Sequence, residues 1–274
     1  MLFFGCLPPC PTTQDMPLPP RSLPVSVIMI TKNEASRLER TLRAVQWAQE
    51  IIVVDSGSSD GTQAIARQWA TLVVETDWPG FGIQKNRALS YATCPWVLSI
   101  DADEWVSPDL CLEIAEFLTA PGPVAACTLP RLSSYCGRPM RHSGWWPDPV
   151  CRFFQRGQAV FSEDRVHEKL LCSGPLHAFH GLLHHDSFQN LDQVLQKINH
   201  YSSEGARQKL EAGQTASLGK AVAHGLWSFV RTYIFQRGFL DGREGFILAV
   251  SNAEGTYYRY LKLMYLRAPQ RLDP

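Results

Sequence analysis

Three carboxylates fall within four residues at the end of an apolar run, where Val97-Leu98-Ser99-Ile100 leads into Asp101-Ala102-Asp103-Glu104. Charge removed from water needs cations or donors around it. An Asp-x-Asp pair can hold a hard divalent ion, and that ion can hold a diphosphate. Taken alone, the same residues also fit a strand that ends in a solvated acidic turn. Further along, Arg141, His142, Trp145, Trp146 and Asp148 crowd into one Gly- and Pro-rich stretch. Aromatic faces stack on sugar rings, and Arg or Asp bonds hydroxyls or phosphates. The competing reading is a loop anchored by two buried tryptophans. Arg152 follows as a cation that could face a diphosphate. His184 and His185 lack a third ligand at the spacing of a zinc site, so zinc is not expected.

These groups need elements to bring them together. Val25 to Ile30, Ile51 to Val54, Leu72 to Val74 and Trp96 to Ile100 read as short buried strands, β-branched and apolar. Helical patterns separate them: one carries Leu38 and Leu42, one covers Ala64 to Trp69, and one covers Gly82 to Tyr91. Strands alternating with helices imply βαβ units and a mainly parallel sheet. Ligands of such sheets bind beyond the carboxyl ends of the strands. Three of the four strands end in polar residues, at Thr31-Lys32-Asn33-Glu34, at Asp55 and at Asp101, so these clusters are expected to share one crevice. Neither G-x-G-x-x-G nor a Walker A sequence is present, so phosphates would be met by side chains and an ion. Downstream, strands are expected at Val124 to Pro130, Val150 to Phe154 and Ala159 to Phe161. A helix is expected from Leu191 to Leu210, with two helical segments after it.

Bulk properties set the outer limits. The chain has 274 residues, 45% apolar and 19% charged, so it can bury a sizeable core. Its 26 basic and 26 acidic residues cancel, which argues against a nucleic-acid partner. Eight cysteines without a C-x-x-C pair signal neither zinc nor a disulfide framework, and a reducing compartment is expected. Met1 to Leu7 is apolar, but no positive region precedes it and prolines cut it short. A secretory signal is therefore not expected. Residues 1–24 read as a disordered extension, or Met16 is the true start. No apolar stretch is long enough to span a bilayer.

Four segments occur in an order and spacing that resemble the nucleotide-sugar-dependent glycosyltransferases of family 2: Val27 to Glu34 (VIMITKNE), Val53 to Thr62 (VVDSGSSDGT), Gly80 to Asn86 (GFGIQKN) and Leu98 to Glu104 (LSIDADE). Arg141 to Trp145 (RHSGW), Val166 to Glu168 (VHE) and Leu240 to Gly242 (LDG) resemble the branch with lipopolysaccharide core glycosyltransferases of the WaaE/KdtX type. The resemblance implies an α/β GT-A fold, Rossmann-like, over residues 25–215. A helical extension, a candidate for membrane association, would follow over 216–274. It implies a nucleotide-diphosphate sugar donor, Mg²⁺ or Mn²⁺, and inversion at the anomeric carbon.

Carried over by position, Thr31, Asn33, Glu34 and Asp55 would surround the base and ribose, although Asp55 also suits a turn or helix cap. Lys85 and Asn86 would lie near the nucleotide, with Lys85 on the diphosphate or else on a solvated helix face. Asp103 would ligate the ion, and Asp101 would serve the ribose or a metal-bound water. Inverting transfer needs one carboxylate to take the acceptor proton. Glu168 matches the V-H-E position; Asp164, in the Glu163-Asp164 pair, is the alternative, and His167 could touch phosphate or metal. Aromatics from Trp227 to Phe246 among Lys220, Arg231, Arg237 and Arg243 suit a helix pair lying on an anionic membrane, or else a helical cover. The expected activity is hexose transfer, most readily from UDP-glucose, to lipopolysaccharide core or a related glycolipid at the cytoplasmic face. The alternatives are a polyprenyl phosphate or other acceptor, or a non-catalytic sugar-nucleotide-binding protein.

Overall fold

A computed structural model of the chain describes residues 22–163 and 168–267. The N-terminal half alternates β1 (Leu23–Thr31), α1 (Ala35–Arg43), β2 (Ala48–Asp55), α2 (Thr62–Trp69), β3 (Leu72–Glu75), α3 (Phe81–Ser90) and β4 (Trp96–Ser99). The four strands lie in the order β3-β2-β1-β4, all parallel. Both faces of this sheet are covered. Val25, Val27 and Met29 pack toward Leu38 and Leu42 of α1. The alternate residues Ile28 and Ile30 pack with Ile52, Val54 and Ala88 of α3. Period-two side-chain alternation with two apolar faces is why β1 reads as a continuous hydrophobic run.

The second half is mixed. It comprises β5 (Glu104–Val106), α4 (Pro108–Phe117), β6 (Ala126–Tyr135), β7 (Arg138–Pro139), β8 (Pro149–Gln155), β9 (Ala159–Phe161), β10 (Leu170–Cys172), β11 (Leu176–Ala178) and β12 (Leu183–Phe188). Beyond β4 the sheet continues β8-β6-β12-β5, with β8 antiparallel to both β4 and β6. The strand expected at Val124 to Pro130 starts at Ala126 and runs on to Tyr135, because β12 pairs along Arg131 to Tyr135. Elements as short as β5, β7, β10 and β11 have no readable periodicity.

Three helices close the chain: α5 (Leu191–Glu211), α6 (Leu218–Val230) and α7 (Gly242–Arg267). A π-helical turn, Arg231–Phe235, and a 3-10 turn, Gly238–Asp241, join the last two. Tyr135 and Met140 pack with Val194 of α5 and Leu248 of α7, fixing the helices to the end of β6. Lys262 Nζ of α7 reaches Asn199, Ser202 and Ser203 of α5 at 2.8 to 2.9 Å. Cysteines 94, 111, 127, 136, 151 and 172 are all free thiols.

Candidate active site

Parallel register sets Thr31 opposite Asp55, and Ile28 opposite Ser99, so the ends of β1, β2 and β4 open on one edge. Thr31 Oγ1 donates to Asp55 Oδ2 at 2.9 Å. The buried Asp55 carboxylate also accepts from Ser58 N–H (2.8 Å), Ser58 Oγ (2.5 Å) and Gln63 Nε2 (2.8 Å). Burial alone would raise its pKa. The hydrogen bonds from Ser58, Gln63 and Thr31 outweigh burial and hold the carboxyl below its ordinary value. Asn33 takes a left-handed backbone (φ 57°). Its N–H donates to Ser58 Oγ at 2.8 Å, and its Oδ1 accepts from Ser59 N–H at 2.9 Å. Glu34 N–H donates to Thr62 Oγ1 at 2.8 Å. Burial, then the charge of Asp103, raises the pKa of the Glu34 carboxyl. The four residues expected around a nucleoside thus form one loop cluster, with Asp55 as its hydrogen-bond hub.

Beside it lies a chain of alternating charges. Lys85 is 3% exposed, so it is no solvated helix face. Its Nζ lies 3.0 Å from Asp101 Oδ1 and 2.9 Å from Glu168 Oε1. Arg152 Nη2 meets the other Asp101 oxygen at 2.7 Å. Burial opposes ionisation of Asp101, but Arg152 and then Lys85 hold its carboxyl well below the usual range. Glu104 is fully buried and ties the strand end together. It accepts from Asp101 N–H (3.0 Å) and meets Arg131 (3.1 Å) and Arg152 (3.4 Å). Arg131 in turn holds Asp148 at 2.8 Å.

The helix that delivers Lys85 is locked to β9. The Asn86 side chain bonds both backbone groups of Phe161, at 2.8 and 2.9 Å. A Cβ on Gly82 would stand 1.8 Å from Ser162 O, so only glycine lets α3 approach this closely. Asn86 therefore positions the lysine instead of facing the nucleotide edge. Glu163 is exposed, while Asp164 and His167 lie outside the described residues.

Asp103 has partners that the motif does not reveal. Arg37 Nη1 meets its Oδ2 at 3.1 Å, and Arg37 Nη2 donates to Gln193 of α5 at 3.1 Å. His185 Nε2 stands 3.6 Å from the same Oδ2, and its Nδ1 is 2.8 Å from Ser133 Oγ. The Ser133 hydroxyl holds Nδ1, and the ring so placed turns Nε2 toward the Asp103 carboxylate. Among the described residues no group of three or more His, Cys, Asp or Glu side chains is arranged to hold a metal ion. A carboxylate and an imidazole leave the remaining positions to phosphate oxygens and water, which suits Mg²⁺ or Mn²⁺. Asp103 and His185 fit that donor set better than Asp101, whose two oxygens are both paired to cations.

In the 141–148 loop, Asp241 acts as a staple. Its buried carboxylate accepts from Arg141 N–H (3.1 Å), His142 N–H (3.1 Å) and Ser143 Oγ (2.7 Å), and it meets His142 Nδ1 at 3.2 Å. Trp145 packs against Tyr135 and Phe188, which favours the anchoring role of that ring. The exposed Arg141 lies over Trp146, 5.6 Å from its ring centroid.

The sequence model of glycosyl transferase family 2 matches residues 26–170, and the chain belongs to that family, with a GT-A fold. An uncharacterized glycosyltransferase of Rickettsia prowazekii is 29% identical over 255 residues, covering 89% of this chain and 86% of the relative. The lipopolysaccharide core biosynthesis glycosyltransferase LpsC of Rhizobium meliloti is 29% identical over 243 residues, covering 84% and 88%. Among solved structures, S. aureus TarS 1-349 in complex with UDP overlaps 91% of this chain and 94% of its own, at 15% identity and a TM-score of 0.47.

Proposed function

We propose that this glycosyltransferase moves a hexose, most readily glucose from UDP-glucose, with inversion to lipopolysaccharide core or a related surface glycan. The observation that carries the reading is Lys85, buried between Asp101 and Glu168 at the sheet's carboxyl edge. The acceptor class draws support from the relative LpsC.

In this reading the loop of Thr31, Asn33, Glu34 and Asp55 receives the nucleoside. Lys85 and Arg152 supply positive charge to the diphosphate. Incoming phosphate competes for Lys85 and frees Glu168, which then takes the proton of the attacking hydroxyl. Asp164 is the alternative base. Asp103, with His185 and Asp101 beside it, would hold Mg²⁺ or Mn²⁺, which when bound supplies Lewis-acid stabilisation to the leaving diphosphate.

The protein would work peripherally on the cytoplasmic face of a membrane. Leu226, Ile234 and Phe235 are all more than half exposed. Among the described residues no helix is long and apolar enough to cross a membrane. The direct test of the transfer reading is nucleotide release from a panel of UDP- and GDP-sugars with Mn²⁺. Release from UDP-glucose is expected, and no turnover or binding of any of them would overturn the donor assignment.

A further inference from the structure

A cleft of about 1090 Å³ opens between α5, α6, α7 and the 141–148 loop. Its wall carries Lys197, Lys209, Arg231 and Arg259 against one carboxylate, Glu204. That carboxylate is taken by Arg207 at 2.6 Å, outside the wall, so it does not neutralise the lining cations. Among the described residues Arg231 and Arg259 have no carboxylate partner. Arg259 Nε is buried with no hydrogen-bond partner at all. Its side chain lies across Gly205, where a Cβ would stand 2.9 Å from Nε. The residue as a whole is partly exposed, and a guanidinium without a carboxylate partner takes a phosphate through charge-assisted, bidentate hydrogen bonds. The indole of Trp227, more than half exposed, adds an apolar face to the same wall.

The cleft is joined to the acidic strand end by two routes. Lys197 lies one helical turn beyond Gln193, the partner of Arg37, which pairs with Asp103. Ser143 and Trp145 line the cleft, and their loop ends at Asp148, which Arg131 ties to Glu104.

We propose that this cleft is the acceptor subsite and takes a saccharide bearing a phosphate monoester, its anion held by Arg259 and Arg231 and its ring laid on Trp227. The word acceptor rests on the glycosyl-transfer reading; the phosphosugar site does not. Guanidinium–phosphate pairs are charge-assisted and bidentate, and aromatic faces accept sugar rings, so both halves of the ligand are addressed.

Trp145 and Trp227 make intrinsic fluorescence the readout. Glucose 6-phosphate titrated into the full chain at low salt is expected to give a saturable change, with glucose and inorganic phosphate each much weaker. Arg259→Gln should weaken glucose 6-phosphate about tenfold or more, the loss expected for a charge-assisted pair. Arg231→Gln, at an exposed position where folding is not at stake, should weaken it in the same direction. Equal binding of glucose and glucose 6-phosphate would overturn the anion assignment. Inorganic phosphate binding as tightly as the phosphosugar would overturn the saccharide half, and unchanged affinity in both variants would overturn the site. UDP-glucose binding is followed separately: its absence would overturn the donor reading and leave the cleft result standing.

Discussion

At the scale of single residues, carboxylates that look alike in sequence do different work. Asp55 is saturated by its own loop, Asp101 is neutralised by Lys85 and Arg152, and Asp103 keeps the imidazole of His185 beside it. The Asp55 carboxyl is held below its ordinary value of 3.8 in the folded protein. Its stabilising contribution is therefore complete above about pH 4 and lost as pH falls through the lowered value. Asp55→Asn should cost about 2 kcal/mol at neutral pH, the scale of hydrogen bonds to a charged group. It should also flatten the acid limb of stability, as urea unfolding from pH 2 to 7 would show. The alternation of apolar runs and polar strand ends made Asp55, Asp101 and Asp103 readable, because parallel strands align their carboxyl ends. Arg37 and His185 were not readable. Their approach to Asp103 spans 66 and 82 residues, and His185 is carried by β12, too short and too polar to announce itself.

Among the elements, the acidic strand end is held from both sides. Glu104 joins β5 to Arg131 of β6 and Arg152 of β8. Breaking a buried charge pair strands its partners, so Glu104→Gln should destabilise the fold by about 3 kcal/mol. Equilibrium urea unfolding checks this, and a change below about 1 kcal/mol would remove Glu104 as the tie. The helix α3 was legible in outline, but its function of holding Lys85 inward rests on Gly82 and Asn86 meeting β9, a long-range contact. Asp241 illustrates the same limit. It lies in an L-D-G motif visible in the sequence, yet its partners are nearly a hundred residues upstream.

Across the whole molecule, the parallel half and the helical bundle flank one charged seam. The parallel half was the more legible, because its βαβ rhythm repeats. The bundle's packing against β6 follows from Tyr135, Met140, Val194 and Leu248, which no local period connects. The bundle also carries the exposed aromatic face. Vesicles rich in phosphatidylglycerol should bind the protein more than phosphatidylcholine vesicles do, and Phe235→Ser should weaken that binding without altering UDP binding. Equal binding to both lipids would remove the anionic surface from the account. In the proposed reaction the edge bearing Asp103 takes a nucleotide diphosphate together with a divalent ion. Calorimetric titration of UDP with and without Mn²⁺, on the natural chain and Asp103→Ala, tests it most directly. Binding that requires Mn²⁺ and is lost in the variant is predicted. UDP that binds equally well without Mn²⁺, or equally well to Asp103→Ala, would contradict it.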